Sequence, residues 1–125
     1  MRIVRLAAIT LLPGIVAVSF ASQASQFNGR WTGTGQALSG TCSDIEISVT
    51  VDGNSVDGEA MTIDRSFEIR GNLSGEGKLQ GQVVKIGFAV AEITGAVHKS
   101  RGSGEWRTVR GEDCRGTFTM EKQAG

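Results

Sequence analysis

A five-residue pattern, apolar–any–glycine–any–apolar, recurs along this chain and limits what it can become. The copies are Phe27-Asn28-Gly29-Arg30-Trp31, Val56-Asp57-Gly58-Glu59-Ala60, Ile69-Arg70-Gly71-Asn72-Leu73, Leu79-Gln80-Gly81-Gln82-Val83, Ile93-Thr94-Gly95-Ala96-Val97 and Cys114-Arg115-Gly116-Thr117-Phe118. Gly102-Ser103-Gly104-Glu105-Trp106 is a degenerate seventh. In an extended chain, residues i, i+2 and i+4 share a face, so each glycine falls between two apolar residues on the buried side. A single glycine there weakens a strand. Repeated in strand after strand, it lets a sheet bend and close tightly.

The rest of the chain reads as short strands. Phe27 to Gln36 alternates Phe27, Gly29, Trp31 and Gly33 inward, and Ser43 to Val51 places Ile45, Ile47, Val49 and Val51 on one face. Asp52-Gly53-Asn54 predicts a hairpin turn. In Ser55 to Ile63 the apolar face shifts from Val56 and Ala60 to Met61 and Ile63, which predicts a bulge. Ser66 to Ser74 follows, with Phe67, Ile69, Gly71 and Leu73 inward. From Lys78 the inward set Leu79, Gly81, Val83 changes phase to Val84, Ile86, Phe88 and Val90, so a bulge or corner is expected near Val83-Val84. Glu92 to Ser100, Gly104 to Val109 and Cys114 to Lys122 complete the set, with Arg101-Gly102-Ser103 and Gly111-Glu112-Asp113 as turns. Beyond the first 24 residues no window sustains a 3.6-residue apolar period. The expectation is an all-β fold: an antiparallel up-and-down β-barrel of about 8 short strands, with a β-sandwich as the alternative.

Residues 1 to 24 read as a secretory signal peptide. Arg2 and Arg5 form a positive start, Leu6 to Phe20 an apolar run, and Ser22-Gln23-Ala24 a small–any–small cleavage site. The run is broken by Pro13-Gly14 and short of a membrane span, so no transmembrane segment is expected in the mature chain. This predicts cleavage near Ala24, a periplasmic or secreted location, and a single domain over 25–125. Cys42 and Cys114 are the only cysteines, and in an oxidising compartment they have only each other to pair with. The expected disulfide closes a loop of roughly 73 residues and contributes roughly 4 kcal/mol in the chain-entropy treatment.

Asn28-Gly29-x-Trp31 near the mature start of such a meander resembles the opening strand of the calycin barrels: lipocalins, avidins and small bacterial metalloprotease inhibitors. More specifically, Phe27 to Trp31, Gly102 to Trp106 and Cys114 to Phe118 resemble the ends of short exported alphaproteobacterial proteins, a largely uncharacterised group. The resemblance implies that Trp31 plugs the barrel floor and that a late arginine, Arg115 or Arg107, lies across it. The biotin site of avidins does not carry over. Avidins place an asparagine and a serine two and six positions after the tryptophan, where this chain has Gly33 and Ala37, and the chain contains no tyrosine.

Little in the sequence points to catalysis. His98 is the only histidine and points outward on the phase set by Ile93, Gly95 and Val97. With both cysteines paired, a zinc site of the usual nitrogen and sulfur type lacks ligands. The carboxylate pairs Asp44 with Glu46 and Asp57 with Glu59 lie on outward faces, and Glu112 with Asp113 lies in a turn, where carboxylates are ordinarily just solvated. No enzyme activity and no cofactor are expected.

The mature chain has a net charge of −2, so no global field selects nucleic acid. The segment from Asp44 to Glu76 is net −6, whereas Gly77 to Gly125 is net +3, with His98, Lys99, Arg101, Arg107, Arg110 and Arg115 gathered in sequence around Trp106. Cross-strand pairing of acidic and basic halves is the simpler reading. A patch for an anionic glycan, lipid headgroup or protein is the functional one. Trp31, Phe88, Trp106 and Phe118 are candidate cavity-lining residues, though in a barrel this small a filled interior is favoured. The sequence therefore suggests an exported, non-enzymatic binding protein of the cell envelope, whose partner is a small ligand at the barrel mouth or an envelope or host macromolecule. A secreted protease inhibitor and a structural envelope protein are the alternatives.

Overall fold

A computed structural model describes residues 25–124, so the signal-peptide reading lies outside the described residues. A 3₁₀ turn, Ser25–Phe27, precedes eight strands: β1 (Gly29–Ser39), β2 (Ile45–Asp52), β3 (Ser55–Met61), β4 (Ser66–Leu73), β5 (Lys78–Lys85), β6 (Phe88–His98), β7 (Arg101–Thr108) and β8 (Arg115–Lys122). Each pairs antiparallel with its sequence neighbours, and β8 returns to pair with β1, closing the barrel. The barrel expected from the glycine pattern is the fold that forms. Paired residues followed around the wall from Gly29 pass through Val51, Val56, Gly71, Gly81, Ile93, Trp106 and Gly116. They return to β1 at Ala37, eight residues beyond the start. Eight strands with that stagger make a narrow cylinder.

Inward-facing residues of the repeats form its core. Phe27, Trp31, Val56, Ala60, Ile69, Leu73, Leu79, Val83, Val97, Trp106, Cys114 and Phe118 are all buried. Gly33 shows why glycine is needed between them. A Cβ added there would run into the Thr119 carbonyl and Met120 of β8, because the two strands coil closely at the seam. Outward positions such as Arg30, Thr34, Gln36, Glu46, Asp57, Glu68, Arg70 and Gln82 are exposed. An apolar inside and a polar outside is the reverse of a membrane-spanning barrel.

The meander sorts its connections by end. The β2–β3, β4–β5 and β6–β7 turns lie at one end and the β1–β2, β3–β4, β5–β6 and β7–β8 turns at the other. The first end is closed. Trp31 is fully buried there among Phe27, Val51, Leu73, Val97 and Met120. Its indole N–H donates to the Phe27 carbonyl at 2.9 Å, which folds the 3₁₀ turn beneath it. Asn28 Oδ1 accepts the Gly53 amide at 2.7 Å and pins the β2–β3 hairpin. Phe27 is thus part of a cap and not of the first strand, the chain turning at Gly29 (φ 138°). The implied arginine over Trp31 is not found: Arg107 and Arg115 lie on the outer wall towards the other end, and Lys122 is the cation paired opposite Trp31.

Three further expectations change. The register of β2 with β3 is continuous, so no bulge turns Met61 and Ile63 inward; Met61 stays outward and Ile63 sits in the loop. The bulge at Val83-Val84 is present, and both valines are buried. The strand expected to continue through Ile86 instead ends, because Ile86-Gly87 is a two-residue turn with both φ values positive (49° and 82°). The Arg101-Gly102-Ser103 turn is likewise strand, the chain reversing at Lys99-Ser100.

Cys42 and Cys114 form the expected disulfide, with sulfurs 2.02 Å apart, tying the β1–β2 connection to the start of β8. Replacing both cysteines with serine should lower the unfolding free energy by roughly 4 kcal/mol in urea titrations, and reduction of the wild type should do the same. At Ile86 a β-branched residue occupies the left-handed region, which asparagine or glycine adopts far more readily. Ile86→Asn should therefore raise stability by about 1 kcal/mol in the same titrations.

Candidate functional site

The second end is open, and a cavity of about 520 Å³ runs inward from it. Its walls are Ile45, Ile47, Val49, Val56, Ala60, Phe67, Ile69, Leu79, Val83, Val90, Ala91, Ile93, Trp106, Phe118 and Met120. Its collar is polar, with Thr41, Ser43, Thr62, Asp64, Arg65, Lys85, Thr108, Arg110 and Glu112. The barrel is filled at the Trp31 end and hollow at the other, which corrects the expectation of a filled interior.

The hollow arises from how two aromatic rings lie on the glycines. A Cβ on Gly116 would sit 2.6 Å from Trp106 Cζ2, and one on Gly35 would sit 3.3 Å from its Nε1, so the indole lies flat across β8 and β1. A Cβ on Gly104 would sit 2.8 Å from Phe118 Cε1, and one on Gly95 would sit 3.0 Å from its Cζ, so this ring lies flat across β7 and β6. Rings laid against the wall take the space that side chains would have occupied. The lumen above them stays open. The Trp106 indole N–H is buried and donates to no protein atom.

The candidate residues separate by position. Trp106 and Phe118 line the cavity, whereas Trp31 lies below it and contributes no lining. Phe88 is also absent from the lining: it begins β6 on the outer rim and is 58% exposed. The five cations do not form one patch. Lys99 and Arg101 flank the β6–β7 turn at the closed end, while Arg110 stands at the open end with all of β7 between them. That is roughly 25 Å of strand. Arg107 and Arg115 face each other on the outer wall, and Arg107 is paired with Glu92 at 3.1 Å. Trp106, which they flank in sequence, points the other way, into the barrel.

Of the collar cations, sequence reasoning singled out Arg110 but neither Arg65 nor Lys85. The Lys85 ammonium lies 5.2 Å from the centre of the Phe67 ring, and the Arg110 guanidinium 4.9 Å from that of Phe88. Contacts of this kind contribute about 0.5–1 kcal/mol at exposed sites. Across the collar, Asp64 accepts from the Thr62 hydroxyl at 3.2 Å. Among the described residues, the cysteine and carboxylate side chains close enough to share a metal are Cys42, Glu112 and Cys114, but both sulfurs are in the disulfide. His98 is exposed at the closed end of β6, far from the cavity.

No protein-family model matches this sequence, and no curated protein does.

Because the buried Trp106 N–H is unpartnered, Trp106→Phe removes a desolvated donor, which offsets the apolar area lost with the smaller ring, and should change stability by no more than about 1 kcal/mol. Trp106→Ala, which deletes the ring, should cost about 3–5 kcal/mol in chemical denaturation.

Proposed function

We propose that this protein is an exported, non-enzymatic binding protein that holds a small apolar or amphipathic ligand in the open half of its barrel. The observation that carries this reading is the cavity of about 520 Å³ with apolar walls and a polar collar. Ligand sites are typically concave, mostly apolar, about 300–1,000 Å³ in volume and furnished with a few polar groups that orient the ligand. A ligand with an apolar body and a polar end matches that division, body inward and polar end among Asp64, Arg65, Lys85, Arg110 and Glu112. The disulfide suits an oxidising compartment.

The other readings draw less support. A basic face for an anionic glycan needs its cations together, and they are divided between the two ends and the outer wall. An inhibitor that inserts its start into a protease cleft needs an extended tail, whereas Ser25–Phe27 is wound into the cap beneath Trp31.

Titration with N-phenyl-1-naphthylamine, an apolar probe that fluoresces in dry surroundings, should give saturable one-to-one binding and quench Trp106. Ala91→Phe puts a ring into the cavity wall and should weaken that binding at least tenfold, or about 1.4 kcal/mol. The variant should remain folded by circular dichroism. Absence of saturable binding, together with no retained small molecule in non-denaturing mass spectrometry of native material, would refute the reading.

A further inference from the structure

The large hydrophobic side chains most exposed among the described residues are Leu38, Met61, Ile63, Ile86, Phe88 and Val109. All six lie at the open end: Leu38 near the end of β1, Met61 at the end of β3, Ile63 in the β3–β4 loop, Ile86 and Phe88 at the β5–β6 turn, and Val109 just after β7. Singly exposed apolar residues need no explanation, but their collection around one opening does. We propose that this rim docks onto an anionic lipid bilayer, its apolar tips entering the headgroup–acyl boundary with the cavity mouth facing the membrane.

Three observations select a lipid surface. First, the tips are prominent, with Ile63 97% and Ile86 84% exposed. Ile86 holds its place at the apex of a tight turn with φ 49°, a conformation that costs a β-branched residue energy and gives it no core contact. Local strain maintained without a packing return is a mark of a working surface. Second, cations alternate with the tips: Arg65 follows Ile63 by two residues, Lys85 precedes Ile86, and Arg110 follows Val109. Lys85 and Arg110 each stand over an aromatic ring at the collar. Apolar tips flanked by such cations are the composition of an interfacial anchor. Third, charge is divided around the mouth. Asp44, Glu112 and Asp113 outnumber Arg110 on the disulfide side, whereas the β3–β4 loop and the end of β5 carry Arg65 and Lys85 against Asp64, with Glu68 below them paired to Arg70. An anionic surface therefore attracts the sector bearing Ile63, Ile86 and Phe88 and tilts the barrel onto it.

The test is flotation of the oxidised protein with vesicles of phosphatidylcholine, with and without phosphatidylglycerol. Partition should be strong only with phosphatidylglycerol and should fall as salt is raised. Each of Arg65→Ser, Lys85→Ser and Arg110→Ser should reduce it about fivefold. Ile63→Asp with Ile86→Asp should abolish it, and both positions are exposed enough to leave the fold intact. Ile86→Asn should lower partition while raising stability, a split that a purely structural role would not produce. Ala91→Phe, which blocks the cavity, should still float, so failure of docking and failure of the ligand reading are distinguishable. No flotation of the wild type, or flotation unchanged by the Ile63 and Ile86 substitutions, overturns the proposal. So does a stable dimer in sedimentation velocity that those substitutions dissociate, because the rim would then be covered by a second copy.

Discussion

The hydrogen-bonded seam between β1 and β8 is the constraint on which this protein rests. It joins the two extremities of the folded chain, from Trp31 opposite Lys122 to Ser39 opposite Arg115, and leaves no strand edge unpaired. Unpaired edges invite association with other chains, and closure removes them. Closure at a stagger of eight residues requires the strands to coil tightly, and Gly33 against the Thr119 carbonyl is where the coiling leaves no room for a side chain. The Cys42–Cys114 bridge sits at the open end of the same seam. It restricts the unfolded chain across a separation of 72 residues.

Closure also grades the interior. At one end Trp31, hydrogen-bonded to the Phe27 carbonyl and packed by Val51, Leu73 and Val97, fills the cylinder. At the other, Trp106 and Phe118 lie on glycines and leave the lumen open. Two tryptophans in similar motifs therefore do opposite things. What separates them is the neighbour under the ring: Trp31 has a folded cap to lie against, and Trp106 has only bare backbone.

The open end combines features that folding alone would disfavour. It bears the apolar tips, the left-handed Ile86 and the unpartnered Trp106 N–H within the wall below. Among the described residues the closed end exposes no large apolar side chain, and the left-handed residue of its β6–β7 turn is the polar Lys99 (φ 57°). Such asymmetry in a small domain, whose net stability is only about 5–15 kcal/mol, places the expense at the mouth.

Much of this was readable in the residues. The alternation of Ile45, Ile47, Val49 and Val51, the repeated glycines between apolar residues, the single possible cysteine pairing and the phase slip at Val83-Val84 each follow from period-two geometry or from counting. The turn at Ile86-Gly87 was hidden because an isoleucine in the left-handed region contradicts its own propensity, so the apolar run Val84-x-Ile86-x-Phe88 reads as strand. Met61 and Ile63 misled for a related reason: alternation assumes that apolar residues face inward, and here they face out at a rim. The gathering of basic residues around Trp106 was a proximity along the chain that alternation and the length of β7 pull apart.

Local order in the chain settled that it would form strands, that they would curl, and which sulfurs would meet, because backbone alternation and glycine's missing side chain act over a few residues. Which end is sealed, where the lumen opens and how six scattered apolar residues come to ring one mouth were settled only when β8 met β1. Those properties depend on the stagger of the whole cylinder and the tilt of two rings, and no short stretch of residues contains either.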